Sequence, residues 1–396
     1  MVGIQLITAF GFSISLPYLS LYLHRQRGLS MTAVGGIMMA SALAAAAFRL
    51  LGGELSDRFG RRPVLLFSLG LRVGLFGGMA GLLAFSGPIW AIALDYILVR
   101  LTGALAMPAI SAMVADLVPA DRRNEGYGIL RAGTNLGWGA GPAVGGYLAV
   151  VYPYHVLFAF TTLASLLSLA LALAFARESQ CQREEGVGIR ALLETFTDRH
   201  FIPFVGLSLP VLVVGGQLVS TLSVFVVDRL GYPEAAFGGM LTLNGFLVAV
   251  LQYPLAVLLQ RWPRLVGLVA GSLLYGFGYV LFGWLHAYGW LLGIMVVITL
   301  GEILFAPTSS AVVADLAPPA RRGRYMGAFG LAESFGWSAG PFLGGILLDL
   351  FPEDPRSMWG IISSLSLVAA VGFIPWWQRL KRSRRVLPVP ARTERA

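Results

Sequence analysis

Twelve apolar runs of about 20 residues follow one another along this chain, each long enough for roughly 30 Å of helix at 1.5 Å per residue. They fall at 2–23, 31–51, 63–85, 89–115, 126–150 and 154–176, then at 202–226, 236–259, 265–285, 288–314, 325–349 and 357–377. A soluble fold has no core large enough to hide them. Of the 396 residues, 57% are hydrophobic and only 12% charged, where a soluble domain carries about a quarter. The pattern predicts an all-α integral membrane protein with twelve transmembrane helices. The first run, Val2 to Leu23, is too long for the apolar part of a cleavable signal and lacks a basic lead, so it reads as the first span.

The net charge of +9 has a distribution that argues against nucleic acid. Alternate loops and the C-terminal segment hold 21 of the 29 Lys and Arg, the other loops hold 4, and 4 lie inside spans. By the positive-inside rule both termini are cytoplasmic, and the basic segments meet anionic lipid. The expected organisation is an N-terminal six-helix bundle over 1–176, a cytoplasmic linker over 177–200 with an amphipathic GIRALLETF, a C-terminal six-helix bundle over 201–377 and a basic cytoplasmic tail over 378–396.

The two bundles are copies of one another. Residues 108–148 superpose on 307–347 at a constant offset of 199 with 19 identities in 41 positions, and GLSMTAVGG (28–36) aligns with GYPEAAFGG (231–239) at an offset of 203. Six helices is an even number, so the halves share one orientation and are related by an axis along the membrane normal. The change of offset falls after the second helix of each half, where GELSDRFGRR (53–62) faces a shortened QRWPR (260–264).

By itself the longer loop reads as a basic turn that needs its glycines. Its pattern G-x3-D-R-x-G-R-R, carried by Gly53, Asp57, Arg58, Gly60, Arg61 and Arg62, resembles motif A of the major facilitator superfamily. The resemblance covers the whole chain and implies that Asp57 sits near a helix of the opposite half while Arg61 pairs with Asp116 at the end of the fourth helix. Such a pair near a helix terminus stabilises one gate state and breaks in the other. A second pattern, Gly128, Gly137, Gly141, Pro142, Gly145 and Gly146 in the fifth run, resembles motif C, which in this superfamily marks proton-coupled antiporters of the twelve-helix drug:proton group. The eleventh run repeats it at Gly327, Gly336, Gly340, Pro341, Gly344 and Gly345. Read physically, small residues at this spacing let helices approach closely and proline kinks them; the resemblance adds a hinge or seal between the halves. The fourth run departs from the family's R-x2-Q-G, having only Arg100, Leu101, Thr102 and Gly103. GEILFAP in the tenth run, followed by ADLAPPARRGRYMG, is also similar to bacterial multidrug-efflux members.

A charge at mid-bilayer costs about 2.5–3.5 kcal/mol, so each ionisable residue inside a run needs a partner or a role. These are Arg49, Arg72, Asp95, Arg100, Arg131, Glu302 and Glu333; Arg72 and Asp95 lie near run ends, where snorkelling is open to them. Glu302 shares a mixed face with Met295, Thr299, Phe305 and Ser309, and the duplication places Gly103 opposite it. It is either a protonated carboxyl hydrogen-bonded to a neighbouring helix, or a proton-exchanging site at which a cation entering beside it favours proton loss. Arg100, on a face with Tyr96, Gly103 and Met107, either pairs within its own half or faces Glu302 across the central cavity that this superfamily builds from helices 1, 4, 7 and 10. Arg49 and Glu333 form the expected bridge across the halves on the cytoplasmic side. Gln5, Thr8 and Phe12 on the first run, with Tyr96, Gln217 and Thr221, are candidate cavity contacts, though polar residues at helical period also serve as interhelix hydrogen bonds.

The expected function is a proton-coupled efflux antiporter of hydrophobic or amphiphilic small molecules in the bacterial inner membrane, a monomer driven by the proton gradient with no cofactor or metal. The alternative is a uniporter or proton symporter of a metabolite such as a sugar, organic acid or lysolipid. An enzyme would need a convergent nucleophile and base; His24, His155, His200 and His286 stand apart near run ends, and Cys181 is alone.

Overall fold

The computed structural model describes residues 1–119, 122–178, 194–318 and 321–386, without the side chains of 50–54, 57, 115, 123–124 and 383–386. All regular structure among these residues is helical. The N-terminal half comprises α1 (Val2–Leu21, prolonged by a π turn Tyr22–Gln26), α2 (Met31–Phe59), α3 (Arg61–Ala84), α4 (Ile89–Leu117), α5 (Arg123–Val151) and α6 (Tyr154–Phe175). The C-terminal half comprises α7 (Phe201–Gly215), α8 (Glu234–Leu259), α9 (Arg264–Leu281), α10 (Tyr288–Leu316), α11 (Arg322–Leu350) and α12 (Pro355–Val386).

The helix ends follow from local chemistry. Ser30 caps α2 by accepting the N–H of Ala33 at 3.2 Å. Pro88, Pro153, Pro233 and Pro263 stand just before α4, α6, α8 and α9, where a missing N–H costs nothing. Asp198 accepts the N–H groups of His200 at 2.7 Å and Phe201 at 3.2 Å at the start of α7, and the Tyr325 hydroxyl at 2.7 Å. Burial works against that charge, but these donors outweigh it and hold Asp198 below the usual carboxylate range.

Ten of the helices are long and apolar enough to cross a membrane. The expected spans at 126–150 and 325–349 form α5 and α11, each 29 residues long but outside those ten, because glycine and polar residues that meet other helices dilute their hydropathy. Three further expectations change. The segment 53–62 is not an open loop: α2 runs to Phe59, and Gly60 alone, at φ +93°, separates it from α3. The seventh run is broken after Gly215 into a 3-10 turn (Gly216–Leu218), a helical turn (Thr221–Val224) and a π turn (Phe225–Arg229). The last helix continues past 377 to Val386, so the start of the expected tail is helical. Most of GIRALLETF and residues 387–396 lie outside the described residues.

Across the halves, α2 packs on α11 and α5 on α8. The contacts repeat with the duplication: a side chain added at Gly35 of α2 would strike the backbone of Pro341 and Phe342, and one at Gly238 of α8 would strike the carbonyl of Pro142. The end of the molecule that carries Gly60 is the loop end, and the opposite one the far end.

Candidate functional site

A cavity of ≈ 380 Å³ opens between the halves, walled by α1, α2, α4 and α5 on one side and by the α7 break, α8, α10 and α11 on the other. Phe12, Tyr96, Trp138 and Trp337 give it aromatic walls, and two charged side chains reach it, Arg100 from α4 and Glu302 from α10. The Glu302 carboxylate is held in place: Asn244 of α8 donates from Nδ2 to its Oε2 at 3.0 Å and to Thr299 Oγ1, one turn earlier, also at 3.0 Å. Asn244 escapes a survey of ionisable residues because it carries no charge. An amide inside an apolar run is nonetheless a polar group needing partners, and that is the signal that finds it.

A second cavity of ≈ 210 Å³ lies within the N-terminal half and meets the first at Phe12, Arg100 and Trp138. Gln5 and Thr8 line it, together with Arg49, Arg72 and Arg100. Thr8 also donates to Ser168 at 3.1 Å. Arg72 and Asp95 do not snorkel: they are 7% and 8% exposed, and the Arg72 guanidinium lies 5.2 Å over the Phe12 ring and 5.7 Å over Phe76.

Gln217 and Thr221, expected at the cavity, are wholly buried instead. Gln217 donates to the carbonyls of Val213 at 3.1 Å and Gly340 at 2.9 Å, and both side chains press on Gly344. The break after Gly215 causes this, since it turns Gly216, Leu218 and Val219 toward the cavity.

At the loop end, Arg61 forms an ion pair with Asp116 and donates to the Ala112 carbonyl at 2.9 Å. The α3 N-terminus is capped by Glu178, which accepts the N–H of Arg61 at 2.9 Å and of Arg62 at 3.3 Å. Arg62 also reaches the Leu173 carbonyl at 3.1 Å, and Arg58 lies 5.4 Å over its neighbour Phe59. Gly53 lies within α2, and the side chain of Asp57 lies outside the described residues. The shortened second copy keeps the same pair, Arg264 with Asp315 at 3.5 Å, which the difference in loop length hid from sequence comparison.

The glycines of the fifth run divide by position. Gly137, Gly141 and Gly145 seat against α1, where an added Cβ would meet Phe10 N at 2.8 Å, Phe10 O at 2.7 Å and Tyr18 Cε2 at 2.7 Å. Gly146 faces the other half, 2.8 Å from the Glu234 carbonyl by the same measure, whereas Gly128 has open space. The Tyr18 hydroxyl donates to the Pro142 carbonyl at 2.7 Å. In α11, Gly336, Gly340 and Gly344 seat likewise against the α7 segment, and Gly345 meets Met31 of α2.

The polar bonds seen between the halves cluster at the far end. Arg25 reaches Asp228 at 2.6 Å and Glu234 at 3.0 Å, and Tyr154 donates to Glu234 at 2.8 Å. Asp349 of α11 caps α2 by accepting the N–H of Met31 at 3.0 Å and of Thr32 at 2.8 Å, and Ser20 meets Ser223 at 3.1 Å. Arg49 and Glu333 do not form the expected bridge: no ion pair joins them within 4.0 Å, although each lies in the other's electrostatic field. The halves are closed together at the far end, so a contact at the other end of α2 and α11 is not made.

The model of the Major Facilitator Superfamily matches residues 1–341 and 300–396. The chain therefore belongs to that superfamily, a class of multi-pass membrane transporters, and is not an enzyme. It is similar to the uncharacterised MFS-type transporter YqjV of Bacillus subtilis, 28% identical over 90% of this chain and 87% of the relative. It is also similar to the multidrug resistance protein MdtH of Proteus mirabilis, 26% identical over 92% of this chain and 91% of that one. Among solved structures, a POT family transporter in complex with 5-aminolevulinic acid shares the fold with a TM-score of 0.80 at 16% identity over 96% and 95% of the two chains.

Proposed function

We propose that the protein is a proton-coupled efflux antiporter of hydrophobic or amphiphilic small molecules, working by alternating access in the bacterial inner membrane. The observation that carries this reading is Glu302, a carboxylate at the wall of an apolar, aromatic cavity between the halves, oriented by Asn244, which is itself anchored on Thr299. A carboxyl there alternates between holding a proton and facing a substrate group, and competition of the two for one site is sufficient for exchange. The MdtH relatives are named multidrug resistance proteins, which supports a cargo of this kind.

In this reading α5 and α11 also cross the membrane, giving twelve spans, with the N-terminus, the linker and the tail in the cytoplasm. The Arg-rich loop end then faces the cytoplasm, and the conformation seen is closed to the outside. Opening the far end separates Arg25 from Asp228 and Glu234, while closure of the loop end brings Arg49 toward Glu333. The protein acts as a monomer, with the proton gradient as its energy source and no cofactor.

The test is proton flux in proteoliposomes under an imposed pH gradient, with ethidium as cargo. Ethidium drives proton movement in the wild type, and Glu302→Gln abolishes it while the protein remains folded. Ethidium passage without proton movement makes the protein a uniporter and overturns the coupling.

A further inference from the structure

We infer that the N-terminal half holds a subsite for an anionic group, a carboxylate, sulfonate or phosphate monoanion on an amphiphile, formed by Arg72 and Arg100 with Arg49 beside them. The inference deepens the transport reading and rests on it for the ligand's being cargo. Three guanidinium groups line one ≈ 210 Å³ cavity, and its lining contains no carboxylate. Arg72 is 7% exposed and has neither a hydrogen bond nor an ion pair among the described residues; the charge acting on it is that of Arg100. Arg100 likewise makes no hydrogen bond, and its Nε is buried without a partner.

Buried guanidinium groups normally face carboxylates or backbone carbonyls, because an unmet donor loses its hydration without return. Here only the faces of Phe12 and Phe76 meet the charge of Arg72, and ring faces leave the planar edge of the guanidinium unspent. That edge is what recognises two oxygens of an anion side by side. The mutual repulsion of Arg72 and Arg100 is also relieved by an anion between them. The duplication did not require this cluster, since the offset of 199 that holds beyond the second helix places Gly271 and Thr299 at the corresponding positions of the second half.

The two cavities meet at Phe12, Arg100 and Trp138, so a ligand with its anionic end among the arginines lays its apolar or aromatic body along Trp138 toward Glu302. The subsite therefore selects cargo carrying an anionic group, with Glu302 at the other end of the path left to a proton or to a basic group of the same molecule.

Calorimetric titration of the full chain in phosphatidylcholine nanodiscs, with empty discs as the blank, tests this with 2-naphthoate, 2-naphthylmethanol and 2-naphthylmethylammonium. The expected order is 2-naphthoate at least tenfold tighter than the alcohol. Arg72→Gln and Arg100→Gln each remove that advantage while leaving the alcohol's affinity within twofold, and Arg100→Lys keeps part of it. Equal affinity for the three compounds in the wild type, or an equal loss for all three in both variants, overturns the subsite. If Arg72→Gln does not yield folded protein, Arg100→Gln, at a more accessible position, decides by itself.

Discs containing phosphatidylglycerol separate two sources of the anion. Competition with 2-naphthoate that Arg100→Gln abolishes assigns the site to a lipid headgroup, and its absence assigns it to a free organic anion. Ethidium exchange with no preference for 2-naphthoate removes the subsite and leaves the transport reading standing. Charge-selective binding without flux of any cargo does the reverse.

Discussion

At the far end of the molecule Arg25, Tyr154 and Asp349 reach across from one half to the other, whereas at the loop end Arg61 and Arg264 pair with Asp116 and Asp315 inside their own halves. Both ends are rich in charge, yet they use it differently. Ion pairs within a half tie α3 to α4 and α9 to α10 and let each bundle move as one body. Pairs across the seam are the ones that must break when the bundles rock. Charges of the first set stiffen a bundle and those of the second switch it, and each role can be broken separately.

The largest effect is expected where no side-chain movement can absorb the change. Gly145 seats on Ile14 and Tyr18 of α1, so Gly145→Leu drives α5 off α1 and loses most folded protein, a cost of about 1–3 kcal/mol or more from overpacking. Gly128→Leu, in open space nearer the loop end, leaves yield and transport close to wild type. Thermal stability by size-exclusion after heating reads both. Equal damage from the two would mean that the pattern of glycines, rather than the close approach at the far end, is what matters.

Next is the seam itself. Arg25→Glu replaces two ion pairs by repulsion from Asp228 and Glu234, and with Arg25 nearly half exposed the change amounts to about 1–2 kcal/mol. That shifts a two-state population by roughly tenfold. Spin labels at Ser86 and Trp284, exposed turn residues of the two halves at the far end, read the opening directly as a new, longer distance. An unchanged distance distribution would move the seal from these charges to the glycine contacts beneath them.

Asn244→Ala sharpens the role of the cavity. It leaves Glu302 without its donor, so proton-coupled exchange falls by about tenfold, the loss of one hydrogen bond to a charged group, with stability little altered. Exchange that is unaffected in proteoliposomes would mean that Glu302 needs no orientation to act.

Much of this was legible in the sequence because it depends on short-range regularity. Runs of 20 apolar residues, a repeat at a fixed offset and glycines four apart are properties of one helix or of two copies of one helix. What escaped depends on partners far along the chain. Glu178 caps α3 from beyond α6, and it lies in a stretch that reads as linker. The burial of Arg72 follows from Phe12 and Phe76, which no hydropathy profile connects to it. At the break in α7, Gly216 lies against the Trp337 backbone of α11 and Gln217 bonds the Gly340 carbonyl instead of facing the cavity, tertiary contacts that the run itself does not encode. Asp57 reads as strongly as Arg61 in sequence, but only Arg61 has its partner described.

The smallest expected difference lies between the two copies of one ion pair. The Arg61 and Asp116 side chains are 8% and 23% exposed, and Arg61 also holds the Ala112 carbonyl. Arg61→Ala leaves Asp116 and that carbonyl under-satisfied in a partly desolvated site, and costs about 2 kcal/mol. Arg264 and Asp315 are 38% and 49% exposed at 3.5 Å, so Arg264→Ala costs at most about 1 kcal/mol and less in high salt. Measured side by side in one detergent, Arg61→Ala lowers the unfolding temperature by more, and raising salt narrows the loss in Arg264→Ala alone. If the two losses are equal and respond alike to salt, the longer first copy does not owe its stiffness to Arg61, and Glu178 and Gly60 become the elements that hold α2 and α3 in register.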